Sequence, residues 1–209
     1  QLTLRSMADL YVYPNKVAAS RLTGAQIAAW LERSASAFNQ IQPNMQDQPL
    51  MNPAFPGYNF EIIYGLTYDI DLTQPARFLQ DGTEIDPAHS RVRNIRFNDA
   101  PLDRDAEFVL CTNSFRSQGA GCFPGAEPAT IVFEHPAIVR DVLRAHVERQ
   151  QVLQVDTETP FRLLPVNGAS VMLRTAPAAL DHLRLIDGYA PEVMGADKKG
   201  FLRLRLTLG

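Results

Sequence analysis

The sequence predicts an α+β fold, a mixed β-sheet with packed helices, on three observations. Leu66, Tyr68, Ile70 and Leu72 alternate with Thr67, Asp69 and Asp71, and Leu202, Leu204, Leu206 and Leu208 alternate with Arg203, Arg205 and Thr207. A two-residue period puts one kind of side chain on each face of a half-buried strand. Ile27, Trp30, Leu31, Ser34, Ala35 and Phe38 recur instead at helical spacing. The third observation is how the two kinds are distributed: hairpin-like strand pairs, with helices set apart from them. No internal repeat and no clean boundary divides the chain, so 1–209 is read as one domain. The segment after about Gln150 is either integral to it or an appendage.

In chain order, Thr3 is placed to cap a short helix over 3–10 whose apolar side is Leu4, Met7 and Leu10. Pro14 ends it, because the residue before a proline avoids helical torsions. A strand is expected over 17–22. Thr23 and Gln26 then have capping-box spacing at the head of the helix that carries Trp30, a residue expected in the core. Residues 40–58 are rich in proline and without period, and read as a long loop. Extended chain is expected over 59–63, with Asp69 and Asp71 of the next strand facing water. Further strands are expected over 92–97, 107–112, 129–133 and 171–174, with a turn at Asn98-Asp99. Pro136 is placed to start a helix carried by Ile138, Val139, Val142, Leu143 and Val147. Residues 154–169 read as irregular, 177–186 as a helix, and the leucine–arginine alternation as a closing strand.

At 209 residues the chain can bury a proper core, and its 45% hydrophobic and 21% charged content is ordinary for a globular protein. A formal net charge of −3 gives no sign of the basic face that nucleic acid would require. No apolar run approaches the length of a membrane span. No secretory leader opens the sequence, which an exported protein would also lack if its leader lay upstream of Gln1.

The chain is organised around 107–125, EFVLCTNSFRSQGAGCFPG. A strand breaks at Thr112-Asn113 into a loop with Phe115 and Arg116 at its tip, followed by Gly119, Gly121 and Gly125. Glycines let a ligand approach the backbone closely, and an aromatic at the mouth of such a loop is a flat platform suited to a nucleobase. The alternative is a connection whose phenylalanine tucks into the core. Cys111 and Cys122 flank the loop, either as a disulfide closing it or as two buried free thiols. Two cysteines without nearby histidines fall short of a zinc site.

Catalytic patterns are missing. His89, His135, His146 and His182 are scattered and make no metal or triad motif, and no nucleophile elbow, Walker or Rossmann glycine pattern is present. The chain reads as built to bind.

The segments ADLYVYPN (8–15), LTGAQIAAWLERSASAFNQIQPN (22–44), NFEIIYGLTYDIDLTQPARF (59–78), RVRNIRFNDAPLD (91–103) and 107–125 together resemble the C-terminal domain of the 5′-nucleotidase family. They are most similar to its bifunctional 2′,3′-cyclic-nucleotide 2′-phosphodiesterase/3′-nucleotidase branch. The resemblance implies a substrate-binding domain that stacks the nucleobase. The phosphate would then be presented to two divalent metal ions in an N-terminal metallophosphoesterase domain of the same polypeptide. That domain and its ligands are absent from this chain, so the resemblance implies no cofactor held here and no catalytic residue. The implied substrates are nucleoside 3′-phosphates and 2′,3′-cyclic nucleotides, with no nucleic acid polymer and no membrane as partner, and the implied location is the periplasm.

By the same resemblance Phe115 falls on the stacking aromatic, and Tyr13 of the YPN run is the second face, with Tyr11 and Tyr58 as alternatives. Gly121 stands where 5′-nucleotidases proper have an aspartate that addresses the ribose, a departure that favours the 3′/cyclic branch. Arg116 is open between a phosphate contact and a surface ion pair. Asn113 is expected to fix the loop backbone, and Gly119 completes the expected site. The rival expectation is a stand-alone nucleoside-binding module with no hydrolase attached.

Overall fold

The computed structural model describes residues 3–150 and 159–209. Its contacts divide the chain into two compact units, Gln1–Trp30 with Leu102–Thr159, and Leu31–Pro101 with Pro160–Gly209. Each unit is made of two separate stretches of chain. The α+β class holds: helices pack with sheets throughout, although the strands form three sheets rather than one.

In the first unit, α1 (Leu4–Leu10) begins at a capping box, the Thr3 hydroxyl accepting from the Ser6 N–H while the Ser6 hydroxyl accepts from the Thr3 N–H. The sheet follows from one central strand, β1 (Lys16–Thr23). On one side it pairs antiparallel with β6 (Glu107–Asn113), Val17 opposite Asn113 and Leu22 opposite Phe108. On the other it pairs antiparallel with β7 (Ile131–Ile138), Ala18 opposite Glu134. Ala18 and Leu22 are fully buried, as a strand between two neighbours requires. At the end of β1 the Thr23 N–H donates to Gln26 Oε1 at 2.8 Å and the Gln26 N–H to Thr23 Oγ1 at 3.2 Å. This is the predicted capping box, and it starts α2 (Gly24–Ala35). Trp30 is 1% exposed and packs on Phe123 at a ring separation of 4.8 Å, a core residue as expected.

Two expectations for this unit fail. Pro136 does not start a helix: β7 runs on through it to Ile138, and α4 (Val139–Gln150) begins only afterwards. The chain needs that extra length of strand to reach Asn15, whose carbonyl accepts from the Val139 N–H at 2.7 Å. Cys111 and Cys122 are free thiols and both are exposed, so the loop is not closed by a disulfide and the thiols are not buried.

The second unit holds two mixed four-stranded sheets. One has the order β10 (Glu192–Ala196), β11 (Leu202–Thr207), β9 (Ser170–Thr175), β2 (Gln48–Pro49), with β2 parallel to β9. The other has the order β5 (Ala100–Pro101), β4 (Val92–Phe97), β3 (Leu66–Ile70), β8 (Phe161–Leu163), with β3 parallel to β8. The segment after Gln150 is therefore no appendage, since β8 and β9 complete sheets begun a hundred residues earlier. Residues 154–158 of the stretch expected to be irregular lie outside the described residues, and β8 supplies a strand where its remainder was read as irregular.

Residues 59–63 are not a strand but leave a short 3-10 turn (Gly57–Asn59) as irregular chain. Residues 177–186 also form 3-10 rather than α-helix, within Pro177–Tyr189. Asp69 corrects a further expectation: it does not face water but is 5% exposed, its carboxylate accepting from Arg162 Nε at 2.6 Å and Asn94 Nδ2 at 2.7 Å. The charged hydrogen bond from Arg162 holds the Asp69 carboxyl below the usual carboxylate range. Glu32 and Arg91 are likewise buried, the Glu32 carboxylate accepting from the Arg91 and Val92 N–H groups and the Arg91 guanidinium donating to three carbonyls.

Candidate functional site

The site grows from the end of β6. Asn113 has extended torsions, and its side-chain oxygen accepts from the Arg116 N–H at 2.9 Å, so it caps a one-turn helix, α3 (Ser114–Ser117). What the sequence presents as a loop tip is thus a helical turn with Phe115 and Arg116 on it. The difference matters physically: a capped turn fixes the direction in which Phe115 leaves the backbone. A second tie, the Lys16 N–H donating to Ser114 Oγ at 3.0 Å, fastens α3 to the start of β1.

Phe115 is 49% exposed. It does not tuck into the core; its ring is half-exposed. Arg116 is 2% exposed and turns inward. Its guanidinium lies 4.3 Å from the Phe123 ring centre and 5.7 Å from that of Phe115, and it donates to the Ala120 carbonyl. Phe115 is therefore backed by Arg116, which lies over Phe123, and Phe123 in turn packs at a tilt on Trp30. So placed, the guanidinium braces the platform from within.

The chain then turns through Gly119 (φ +98°) and Gly121 (φ +79°) to Gly125 (φ +78°). Gly125 sits in a left-handed conformation that other residues resist, and a β-carbon there would also stand 2.7 Å from the side-chain end of Leu22, its Cδ2. Gly119 meets the cleft directly.

That cleft measures about 680 Å³. Pro14, Asn15 and Lys16, Phe115 and Gly119, and Glu134 of β7 all line it. The volume is of the size that small-molecule sites occupy. Lys16 Nζ donates to Glu134 Oε1 at 2.8 Å, the two side chains being 43% and 35% exposed. Of the predicted site residues, Phe115 and Gly119 line the cleft. Tyr13 is exposed beside it, one residue before Pro14. Asn113 and Arg116 support the platform from behind, and Gly121 lies further round the turn.

Tyr11 is partly buried, its hydroxyl accepting from Asn15 Nδ2 at 3.2 Å, which makes it a brace for the YPN run. Tyr58 is exposed in the other unit. Lys16 and Glu134 were not singled out from sequence, since a lysine in a strand and a glutamate opposite it, 118 residues apart, carry no local signal. Among the described residues no three His, Cys, Asp or Glu side chains gather where a metal ion could be held. Nor, among those residues, is any helix long and apolar enough to cross a membrane.

Comparison with known proteins bears on what this site belongs to. Residues 1–127 match the family model described as 5′-nucleotidase, C-terminal domain. A 2′,3′-cyclic-nucleotide 2′-phosphodiesterase/3′-nucleotidase of Yersinia enterocolitica is 35% identical over 219 aligned residues, which take in 100% of this chain and 33% of that protein. The trifunctional nucleotide phosphoesterase protein YfkN of Bacillus subtilis is 34% identical over 176 residues, 84% of this chain and 12% of that protein. The chain thus spans a third or less of the length of these relatives. The crystal structure of a 5′-nucleotidase precursor from Thermus thermophilus superposes with a TM-score of 0.57 at 19% identity, over 78% of this chain and 28% of that one, a likeness of fold. The family match covers α1, β1, the whole Phe115 turn and its glycines, and on that ground the chain belongs to the 5′-nucleotidase C-terminal domain family.

Proposed function

We propose that this domain captures the nucleoside part of a nucleotide by stacking its base on Phe115, with Tyr13 closing from the other side. The observation that carries the reading is the half-exposed Phe115 ring, fixed by a capped turn and an internal arginine, at the wall of a cleft of ligand size. A base–aromatic stack contributes about 1–3 kcal/mol per face and accepts any base. Two faces at about 1.5 kcal/mol each tighten binding roughly a hundredfold. Holding the base in this way sets where the sugar and its phosphate point, which is how a binding domain contributes to a reaction carried out elsewhere.

The substrates are nucleoside 3′-phosphates and 2′,3′-cyclic nucleotides. Hydrolysis belongs to a metallophosphoesterase domain in the preceding part of the same polypeptide, where two divalent ions would activate water and bind the phosphoryl oxygens. The names of the relatives and the share of their length that this chain covers support that division of labour. Export to the periplasm is part of the same proposal. In this division the chain binds and the rest of the protein reacts. Calorimetry with adenosine together with phosphate release from 3′-AMP tests it: this chain alone binds the nucleoside and releases no phosphate, with or without divalent metal. Turnover by this chain alone, or no heat of binding at millimolar adenosine, overturns the proposal.

A further inference from the structure

The proposed platform occupies only one wall of the cleft. The register of the first sheet shows what faces it. The strand leading to Phe115 is β6, the floor is the start of β1, and the strand carrying Glu134 is β7, on the far side of β1. Adjacent strands lie about 4.8 Å apart, so the bases of the two walls stand about 10 Å apart. That spacing is comparable to the reach from the middle of a nucleobase to the far end of its sugar. A base on Phe115 with its sugar lying across the start of β1 therefore brings a ribose hydroxyl to the Lys16–Glu134 pair.

The pair has the chemistry of a reader rather than of a simple strand-to-strand clamp. Lys16 Nζ takes Oε1 of Glu134 at 2.8 Å, and among the described residues Oε2 accepts no hydrogen bond. An ionised carboxylate accepts hydrogen bonds and donates none. The group it meets must then be a donor, which a sugar hydroxyl is and a phosphate at neutral pH is not. Lys16 fixes the carboxylate's orientation and offsets its charge, so that a nucleotide whose phosphate sits elsewhere is not repelled.

We infer that Glu134, held by Lys16, is a specificity-determining residue that accepts a hydrogen bond from a ribose hydroxyl of the bound nucleoside. This rests on the base-stacking reading above.

The test is a matrix of binding constants for the full polypeptide, measured calorimetrically with adenosine, 2′-deoxyadenosine and 5′-deoxyadenosine. The wild-type protein binds adenosine about tenfold more tightly than one of the two deoxy analogues, the size expected for a hydrogen bond to a partly exposed charged acceptor. Glu134→Ala abolishes that ratio, binding adenosine about as weakly as the analogue, and Glu134→Gln, whose amide oxygen still accepts, restores part of it. Loss of a half-exposed ion pair leaves the fold intact, and a merely structural role would shift all three ligands together. Equal ratios in the wild-type protein and in Glu134→Ala overturn the inference. Phe115→Ala is the separating control. If it weakens all three ligands while the Glu134 variants leave the ratios alone, stacking stands and the Glu134 assignment falls. If Phe115→Ala weakens none of them, the stacking reading itself fails.

Discussion

Replacing Phe115 by alanine in the full polypeptide isolates the proposed platform from the rest of the proposed site. The ring is 49% exposed, so its loss removes few packing contacts. The inward brace survives, because the Arg116 guanidinium sits closer to Phe123, at 4.3 Å, than to Phe115, at 5.7 Å. Surface changes of this kind stay within about 0.5 kcal/mol, so the melting temperature moves by no more than a few degrees. Binding loses one stacking face, about 1–3 kcal/mol. At 1.4 kcal/mol per decade that is a rise of about 5- to 150-fold in KM for 3′-AMP. Because the stack is made to substrate and transition state alike, kcat stays within a factor of about two to three.

The assay is steady-state release of phosphate from 3′-AMP, with glycerol 2-phosphate as a substrate that has no ring to stack. The predicted pattern is a KM that rises for the nucleotide alone, restored by Phe115→Trp. An unchanged KM for 3′-AMP, or an equal rise for both substrates, refutes the reasoning.

Three further outcomes follow from the geometry. Asn113→Ala removes the cap from α3, costing about 1 kcal/mol of stability, and raises KM by less than Phe115→Ala does; urea unfolding alongside the same kinetics checks both. Gly125→Ala forces a β-carbon to within 2.7 Å of Leu22 Cδ2 at φ +78°, and strain plus overpacking should cost about 2–4 kcal/mol, read as a lower urea midpoint. Asp69→Asn probes the pair that buried Asp69 makes with the exposed Arg162, whose hydrogen bond depresses the Asp69 pKa. The carboxylate's contribution is therefore complete above its unfolded value of about 3.9 and is lost as pH falls through the lower folded value. The stability gap between wild type and variant, about 1–2 kcal/mol at pH 7, should close towards pH 3, and a gap independent of pH contradicts the assignment.

The sequence was most informative where structure is local. The Thr23–Gln26 capping box and the leucine–arginine alternation of β11 each depend on neighbours within a few residues, and each is realised. Pairings between distant segments were not legible. The parallel partnerships of β3 with β8 and β2 with β9 join segments about a hundred residues apart, and nothing in either member announces the other. The same holds for Asp69, which reads as the polar side of an amphipathic strand until Arg162 of β8 covers it. Pro136 misled because a proline at a helix start and a proline near a strand end look alike locally. At the site, Phe115 was visible as a residue type in a turn, whereas the inward role of Arg116 and the Lys16–Glu134 pair depend on three-dimensional proximity alone.

The most direct measurement is the structure of this chain with adenosine bound. The account predicts the purine lying flat on the Phe115 ring at carbon–carbon contact of about 3.5–4 Å, with Tyr13 folded over it. A base seated away from Phe115, or meeting that ring only at its edge while Tyr13 points elsewhere, contradicts it.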